Sequence, residues 1–164
     1  MSYSCCSFTG HRHIKAEHRP HIAELVKRGI EYAYGEGCRV FCSGGALGFD
    51  TLAAREVIRF RITHPDVKLI LFLPCIDQAS MWNSDQRDSY EYLIRTSDEI
   101  RYAADSYTDS CMRERNFMLA DACDLLIAYS GRSRSGSSQT VGMAERLGKT
   151  VYNLYPTLDR LASE

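Results

Sequence analysis

Short apolar runs separated by stretches of helical spacing recur from one end of the chain to the other, and this alternation constrains the fold more than any other feature. Residues 3–8, 39–42, 68–73 and 125–129 read as strands, with 150–154 as a fifth and the less apolar 99–102 as a sixth. Between the first two, Pro20 stands where the first turn of a helix tolerates proline. Ile22, Leu25, Val26, Ile30 and Ala33 follow at helical spacing, and Gly35 and Gly37 end the run. Phe49, Leu52, Ala53, Val57 and Phe60 mark a second helix, and further helices are predicted over 86–96, 111–122 and 138–147. Strands alternating with helices predict an α/β fold, a mostly parallel sheet with helices on both faces. No repeat, low-complexity tract or long linker interrupts the 164 residues, so one domain spanning 1–164 is expected.

Composition narrows the partners. With 45% hydrophobic residues the chain has material for a core, which excludes disorder as its default. Twenty basic against 21 acidic residues give a net charge of −1, so the total does not call for a nucleic acid or an anionic membrane. Sixteen of the basic residues are arginine and four are lysine. The rigid guanidinium fork suits paired bonds to phosphate or carboxylate, although compositional bias explains the same ratio. The seven cysteines contain no C-x-x-C pair and fit neither a zinc spacing nor a secreted disulfide framework. They are expected to be small buried hydrophobes in a reducing compartment. The first residues lack a signal-peptide pattern, and the longest apolar run, 69–73, is far short of the ~18 residues that span a bilayer. A cytoplasmic location and no membrane association are expected.

In open parallel sheets, ligands bind beyond the carboxyl ends of the strands, so the loops there matter most. The first strand leads into Thr9-Gly10-His11-Arg12. The second leads into Ser43-Gly44-Gly45-Ala46-Leu47-Gly48 and directly into a helix. The strand at 125–129 leads through Ser130, Gly131, Arg132, Ser133, Arg134 and Ser135 into Gly136, Ser137, Ser138, Gln139 and Thr140, again entering a helix. Small residues at a helix N-terminus let backbone amides approach an anion. Two such loops on one sheet edge, with Arg12 and the Arg132/Arg134 pair nearby, predict phosphate binding. The lysine of G-x-x-x-x-G-K-[ST] is missing, and no G-x-G-x-x-G follows the first strand, so ATP hydrolysis and hydride transfer are disfavoured.

Within the helix at 111–122, Arg115 and Asn116 are placed to face one ligand, or else a solvated polar face. His11, His13, His18 and His21 cluster after the first strand. No carboxylate or cysteine completes a ligand set there, so neither a metal nor any other cofactor is expected. Trp82, beside Asn83, either stacks on a base or covers the edge of the core. Asp124 either caps or closes a turn.

Taken in order, several segments resemble the SLOG superfamily, which is named after the Smf/DprA DNA-processing proteins and the Lonely Guy phosphoribohydrolases. They are Thr9-Gly10-His11-Arg12, Ser43-Gly44-Gly45-Ala46-Leu47-Gly48-Phe49-Asp50, Pro74-Cys75, Trp82-Asn83, the Arg115-Asn116 helix, Asp124-Leu125-Leu126-Ile127-Ala128 and Gly136-Ser137-Ser138-Gln139-Thr140-Val141 with Ala144. The closest likeness is to the YpsA-like branch. The resemblance implies a Rossmann-like domain that holds a nucleotide or nucleotide-derived ligand at the strand ends. It points to Arg115 and the residues from Gly136 to Thr140 as contacts, and it suggests self-association as a homo-oligomer.

Relatives of Lonely Guy cleave the N-glycosidic bond of nucleoside monophosphates with a glutamate three residues after a loop threonine. If Thr140 is that threonine, Met143 takes the glutamate's place. In the register of the deoxyribosyltransferases, which the loop also resembles, the nucleophilic glutamate falls on Thr140 itself. Neither side chain can stabilise an oxocarbenium-like centre. Glu145 lies roughly 200° further round the helix from Met143 and faces away. Asp50 is the other acid near the loops, with favouring a helix N-terminus as its plain role.

The expected site is therefore Gly10, Arg12, Ser43, Gly44, Gly45, Asp50, Arg115, Asn116, Gly136, Ser137, Ser138, Gln139 and Thr140, in a non-catalytic sensor or adaptor for a small nucleotide. An N-glycosidase or deoxyribosyltransferase using Asp50 or Glu145 is the alternative. Binding of single-stranded DNA ranks last, since the near-neutral charge argues against a nucleic-acid partner.

Overall fold

The computed structural model describes residues 3–131 and 134–164. The six strands are β1 (Cys5–Gly10), β2 (Val40–Ser43), β3 (Lys68–Leu73), β4 (Glu99–Tyr102), β5 (Leu125–Tyr129) and β6 (Thr150–Asn153). They form one sheet in the order β4-β3-β2-β1-β5-β6, and every pairing is parallel. The helices are α1 (Arg19–Gly35), α2 (Phe49–Thr63), α3 (Ser84–Thr96), α4 (Cys111–Ala122), α5 (Gly136–Arg146) and α6 (Tyr155–Ala162). The expected Rossmann-like α/β architecture is what forms.

The central strands are apolar on both faces, as a doubly covered parallel sheet requires. Phe8, Phe41, Leu69, Leu71, Leu125, Ile127 and Tyr129 point into the larger core, where Ile22, Val26 and Ile30 of α1, Ala53 and Val57 of α2 and Leu93 of α3 pack on them. Alternate residues point the other way. Cys42, Ile70 and Phe72 meet Leu119 of α4, and Leu126 meets Ala120, Met143 and Ala144. Along this second face the buried Ser7 hydroxyl donates to the Leu119 carbonyl at 2.8 Å.

The chain steps outward from β1 to β4, returns through α4, and continues from β5 to β6 on the other side of β1. Loops leaving β1 and β5 therefore diverge and leave a crevice at their carboxyl ends, the place where open α/β sheets bind ligands.

Two expectations need correction. The first strand is Cys5–Gly10 rather than 3–8, because Asp124 accepts the amides of Ser4 (2.8 Å) and Cys5 (3.1 Å) and fixes the strand start there. Helix α6 was not expected at all: eight residues give little periodicity, and only Leu158 among them is buried. It is held by His18, whose ring sits between the Tyr129 hydroxyl (Nδ1, 2.7 Å) and the Asp159 carboxylate (Nε2, 2.7 Å). With the carboxylate accepting from Nε2, Nδ1 accepts the tyrosine proton.

All seven cysteines are free, and all but the half-buried Cys5 are buried, as expected. Burial pushes Cys38 up to about 12 and Cys75 and Cys123 up to about 11, so these remain unreactive thiols. Among the described residues no helix is long and apolar enough to cross a membrane.

Gly10 ends β1 against the ring of Phe49, and a Cβ there would lie 2.4 Å from ring carbons. Gly10→Ala is expected to cost about 1–3 kcal/mol through overpacking, read as a lower urea midpoint with an unchanged slope.

Candidate functional site

Loop 44–48 is closed on itself before it meets anything else. The Ser43 hydroxyl donates to the Asp50 carbonyl (2.9 Å) and accepts the Gly45 amide (3.3 Å), while the Thr51 hydroxyl donates to the Ala46 carbonyl (2.8 Å). Gly48 takes φ +81°, a conformation side chains rarely adopt, and a Cβ there would strike the Arg12 carbonyl at 2.1 Å. The Phe49 amide donates to the His11 carbonyl (3.1 Å), joining the loops after β1 and β2.

Helix α4 reaches this loop through Arg115. Its guanidinium donates from Nη1 to the Gly44 carbonyl and from Nε to Asn116 Oδ1 (3.1 Å), and only 5% of the residue is exposed. Asp50, also 5% exposed, accepts the Ala46 amide on Oδ2 at 3.3 Å, and its Oδ1 has no partner among the described residues. Gly44 lies between the two charges. A Cβ on it would come within 2.7 Å of both Arg115 Nη1 and Asp50 Oδ2. Burial pushes the Asp50 carboxyl up to about 6, against the opposing pull of Arg115 and of the Ala46 amide. Burial likewise lowers Arg115, with the Asp50 charge opposing it.

Helix α5 presents its N-terminus to the same space. Ser135 caps it, accepting the Ser138 amide on its hydroxyl (3.2 Å), while Ser138 Oγ accepts the Ser135 amide (2.8 Å). The first helical bond is Gln139 N–H to the Ser135 carbonyl at 3.1 Å. The Gly136 and Ser137 amides belong to the first turn, which has no acceptor within the helix, and none of the described residues accepts them. Asn116 Nδ2 donates to Gln139 Oε1 at 3.1 Å and ties α4 to α5.

These parts enclose a cleft of about 360 Å³ at the β1/β5 crevice. Of the expected residues, Gly10, Arg12, Asp50, Arg115, Asn116, Gly136, Ser137 and Gln139 line it. Ser43, Gly44, Gly45, Ser138 and Thr140 do not. The first three form the packed loop beneath the cleft, Ser138 completes the cap, and the fully buried Thr140 donates to the Gly136 carbonyl at 3.0 Å. Glu145 is exposed near the far end of α5, away from the cleft. Arg134 is exposed beside the α5 cap, and Arg132 and Ser133 lie outside the described residues. Trp82 packs on the edge of the core, edge-on to Tyr90 at 5.3 Å, with the Arg12 guanidinium 5.8 Å from its ring.

His11 carries a role that sequence spacing did not reveal. Its Nε2 accepts the Gly131 amide at 2.7 Å, so Nδ1 bears the proton and faces the Ser137 hydroxyl at 3.2 Å. One ring thus bridges the loops on either side of the crevice. Burial and the Lys15 charge lower its pKa below the ordinary histidine value, consistent with the neutral form that this bonding needs. The four histidines that stand close together in sequence have separate surroundings. His18 is buried on Tyr129, His13 is exposed, and the described residues hold no group of three metal-ligating side chains.

A larger depression of about 860 Å³ lies beyond His11, against Lys15, Tyr155 and Pro156. Several of its polar groups already have partners, since Asn153 bonds both the amide and the carbonyl of Ser130, Gly131 bonds His11, and Asp159 bonds His18, while the exposed His13 and Lys15 side chains also line it. The smaller cleft brings together Arg12, the first-turn residues of α5 and the unpartnered Asp50 oxygen, and it contains most of the expected residues, so it is the candidate site.

The model of the YspA SLOG family matches residues 8–155. The SPbeta prophage-derived protein YoqJ of Bacillus subtilis is 28% identical over 149 residues, covering 82% of this chain and 83% of that protein. A UPF0398 protein of Bacillus thuringiensis is 24% identical over 136 residues, covering 82% and 74%. Among solved structures, DNA processing protein A of Helicobacter pylori, described for its single-stranded DNA binding mode, superposes with a TM-score of 0.64 at 18% identity, covering 90% of this chain and 63% of that one. The Streptococcus pneumoniae protein of the same name gives 0.64 and 18%, covering 98% and 55%. This chain thus spans less than two thirds of either structure, and the likeness is one of fold.

Asp50 is held above its unfolded pKa, so its burial costs stability in full above about pH 6, progressively less between 6 and 4, and nothing below about 4. As pH falls from 7 to 4, the wild type is expected to gain about 2–3 kcal/mol relative to Asp50→Asn. Urea denaturation of both proteins across that range reads the difference.

Proposed function

The chain belongs to the YspA SLOG family, and on that premise we propose that it binds a phosphorylated nucleotide or nucleotide derivative in the β1/β5 cleft, as a sensor or adaptor rather than a catalyst. The carrying observation is that Gly136 and Ser137, whose first-turn amides have no acceptor among the described residues, line the same small cleft as Arg12. A helix N-terminus favours an anion through both its free N–H groups and its dipole, and arginine adds charge-assisted bonds. Two guanidinium groups, Arg12 and Arg115, against one carboxylate leave the cleft a net positive charge suited to a phosphate. Asp50, Asn116 and Gln139 supply acceptors and donors for sugar hydroxyls.

The roles of the two arginines separate. Arg115 spends its bonds on Gly44 and Asn116, so it shapes the cleft. Arg12 is exposed, and its side chain makes no hydrogen bond to the described residues, so it is the arginine free to meet the phosphate.

The non-catalytic reading rests on the acids. Where related glycosidases carry a glutamate, this chain has a buried Met143 or a back-bonded Thr140. The only carboxylate among the described lining residues is Asp50, held by the Ala46 amide and facing Arg115. Single-stranded DNA binding, described for the Helicobacter neighbour, has no specific support in the geometry of this cleft.

A thermal-shift series with nucleoside mono-, di- and triphosphates and a short oligonucleotide tests the proposal. A nucleotide at 100 times its Kd is expected to add about 2.7 kcal/mol of stability. Arg12→Ala should abolish the shift without lowering the melting temperature of the free protein. Arg115→Ala should lower that temperature itself, because it leaves Asp50 buried without its counter-charge. A shift only with the oligonucleotide, or a nucleotide shift unaffected by Arg12→Ala, would contradict the proposal.

A further inference from the structure

Arg12 and Met112 line both the cleft at the β1/β5 crevice and a second, adjacent compartment of about 450 Å³. Its other walls include Pro74, Cys75, Met81 and Tyr107. Met81 is 92% exposed and Tyr107 65%, so neither side chain is accounted for by the core. Two thioethers, an aromatic ring and a guanidinium plane are surfaces against which a flat ring stacks.

The floor of this compartment carries an independent mark. The Gln78 carboxamide is shut off from water, yet neither its nitrogen nor its oxygen has a partner among the described residues. It lies over the β2 loop, 3.9 Å from where a Gly45 Cβ would stand, and the unpartnered Tyr90 hydroxyl belongs to the ring that covers the same glycine. Buried amides ordinarily find partners, and one that does not calls for an explanation. A carboxamide offers a donor and an acceptor side by side, the complement of the amino group and adjacent ring nitrogen of adenine. Its terminal torsion is soft, so it can turn toward an incoming ring edge.

We propose that this compartment is the nucleobase subsite and that Gln78 makes it selective for a 6-aminopurine, with Arg12 at the junction between base and phosphate. This rests on the phosphate reading above and adds the identity of the base. Asp77, at the mouth of the same compartment, disfavours a second phosphate there, so a mononucleotide fits better than a pyrophosphate bridging the two spaces.

Calorimetric titration of AMP, IMP and ribose 5-phosphate into wild type, Gln78→Leu, Tyr107→Ala and Arg12→Ala tests it. Wild type should bind AMP at least tenfold more tightly than IMP, and IMP more tightly than ribose 5-phosphate. Gln78→Leu should bring AMP down to the level of IMP, and Tyr107→Ala should weaken both toward ribose 5-phosphate. Ribose 5-phosphate itself should be indifferent to those two changes. If AMP binds no better than ribose 5-phosphate, or keeps its advantage in both variants, the base subsite is overturned while the phosphate reading stands. Failure of all three ligands to bind, or binding indifferent to Arg12→Ala, overturns both. Because the Gln78 carboxamide makes no well-formed hydrogen bond and only neighbours the Tyr90 hydroxyl, Gln78→Leu should melt close to wild type, so lost selectivity is not lost folding.

Discussion

Everything at the candidate site depends on one buried contact, the Arg115 guanidinium donating to the Gly44 carbonyl beside the Asp50 carboxylate. It joins α4, which has crossed back over the sheet, to the loop that leaves β2 on the other side of β1. A Cβ at position 44 would come within 2.7 Å of both Arg115 Nη1 and Asp50 Oδ2, so a side chain there would displace one of the two charged groups. Buried ion pairs often cost more in desolvation than their attraction returns, and apolar replacements are frequently neutral or better. Burial raises the Asp50 carboxyl and lowers the Arg115 guanidinium, the directions that desolvation of each charge imposes. Arg115 and Asp50 are opposite charges buried at the end of the sheet without a salt bridge between them, and Asp50 keeps an unpartnered oxygen, an arrangement that the proposed ligand role accounts for.

The topology explains why the charge is needed there. The strand order reverses direction at β1, so the loops after β1 and β5 part and expose the amides that begin α5. His11 spans the gap, accepting the Gly131 amide on one ring nitrogen and facing Ser137 with the other. Three contacts, from Arg115, His11 and Asn116, therefore fix four segments that are remote in sequence. The site is preorganised by the frame, and the exposed Arg12 side chain, beside the Trp82 ring, makes no hydrogen bond to the described residues.

Periodicity carried the fold well wherever a segment was long and buried. The five longer helices and the six strands all appear, because apolar spacing and the glycines after α1 report burial on a regular frame. It failed where local signals are weak. Helix α6 is short, with its ring-and-carboxylate tie to His18 formed across 141 residues. The start of β1 is fixed by Asp124, 119 residues distant from Cys5. The site was legible as a set of loops and not as a set of contacts. Ser43 and Thr140 have the residue types of ligand contacts, but their hydroxyls close the backbone that carries them. His11 drew attention only as one of four histidines, since nothing in the spacing tells which ring nitrogen meets which amide.

The central claim, an anion held by the first turn of α5 and by Arg12, is tested most directly by amide chemical-shift mapping. AMP titrated into ¹⁵N-labelled protein should move the Gly136 and Ser137 resonances downfield in a saturating, concentration-dependent way, with Gly10 and Arg12 following. The Gly136, Ser137 and Gly10 resonances should remain still when the titration is repeated with Arg12→Ala. Perturbations confined to the depression around Lys15, Asn153 and Tyr155, with Gly136 and Ser137 unmoved, would place the ligand elsewhere and contradict the claim.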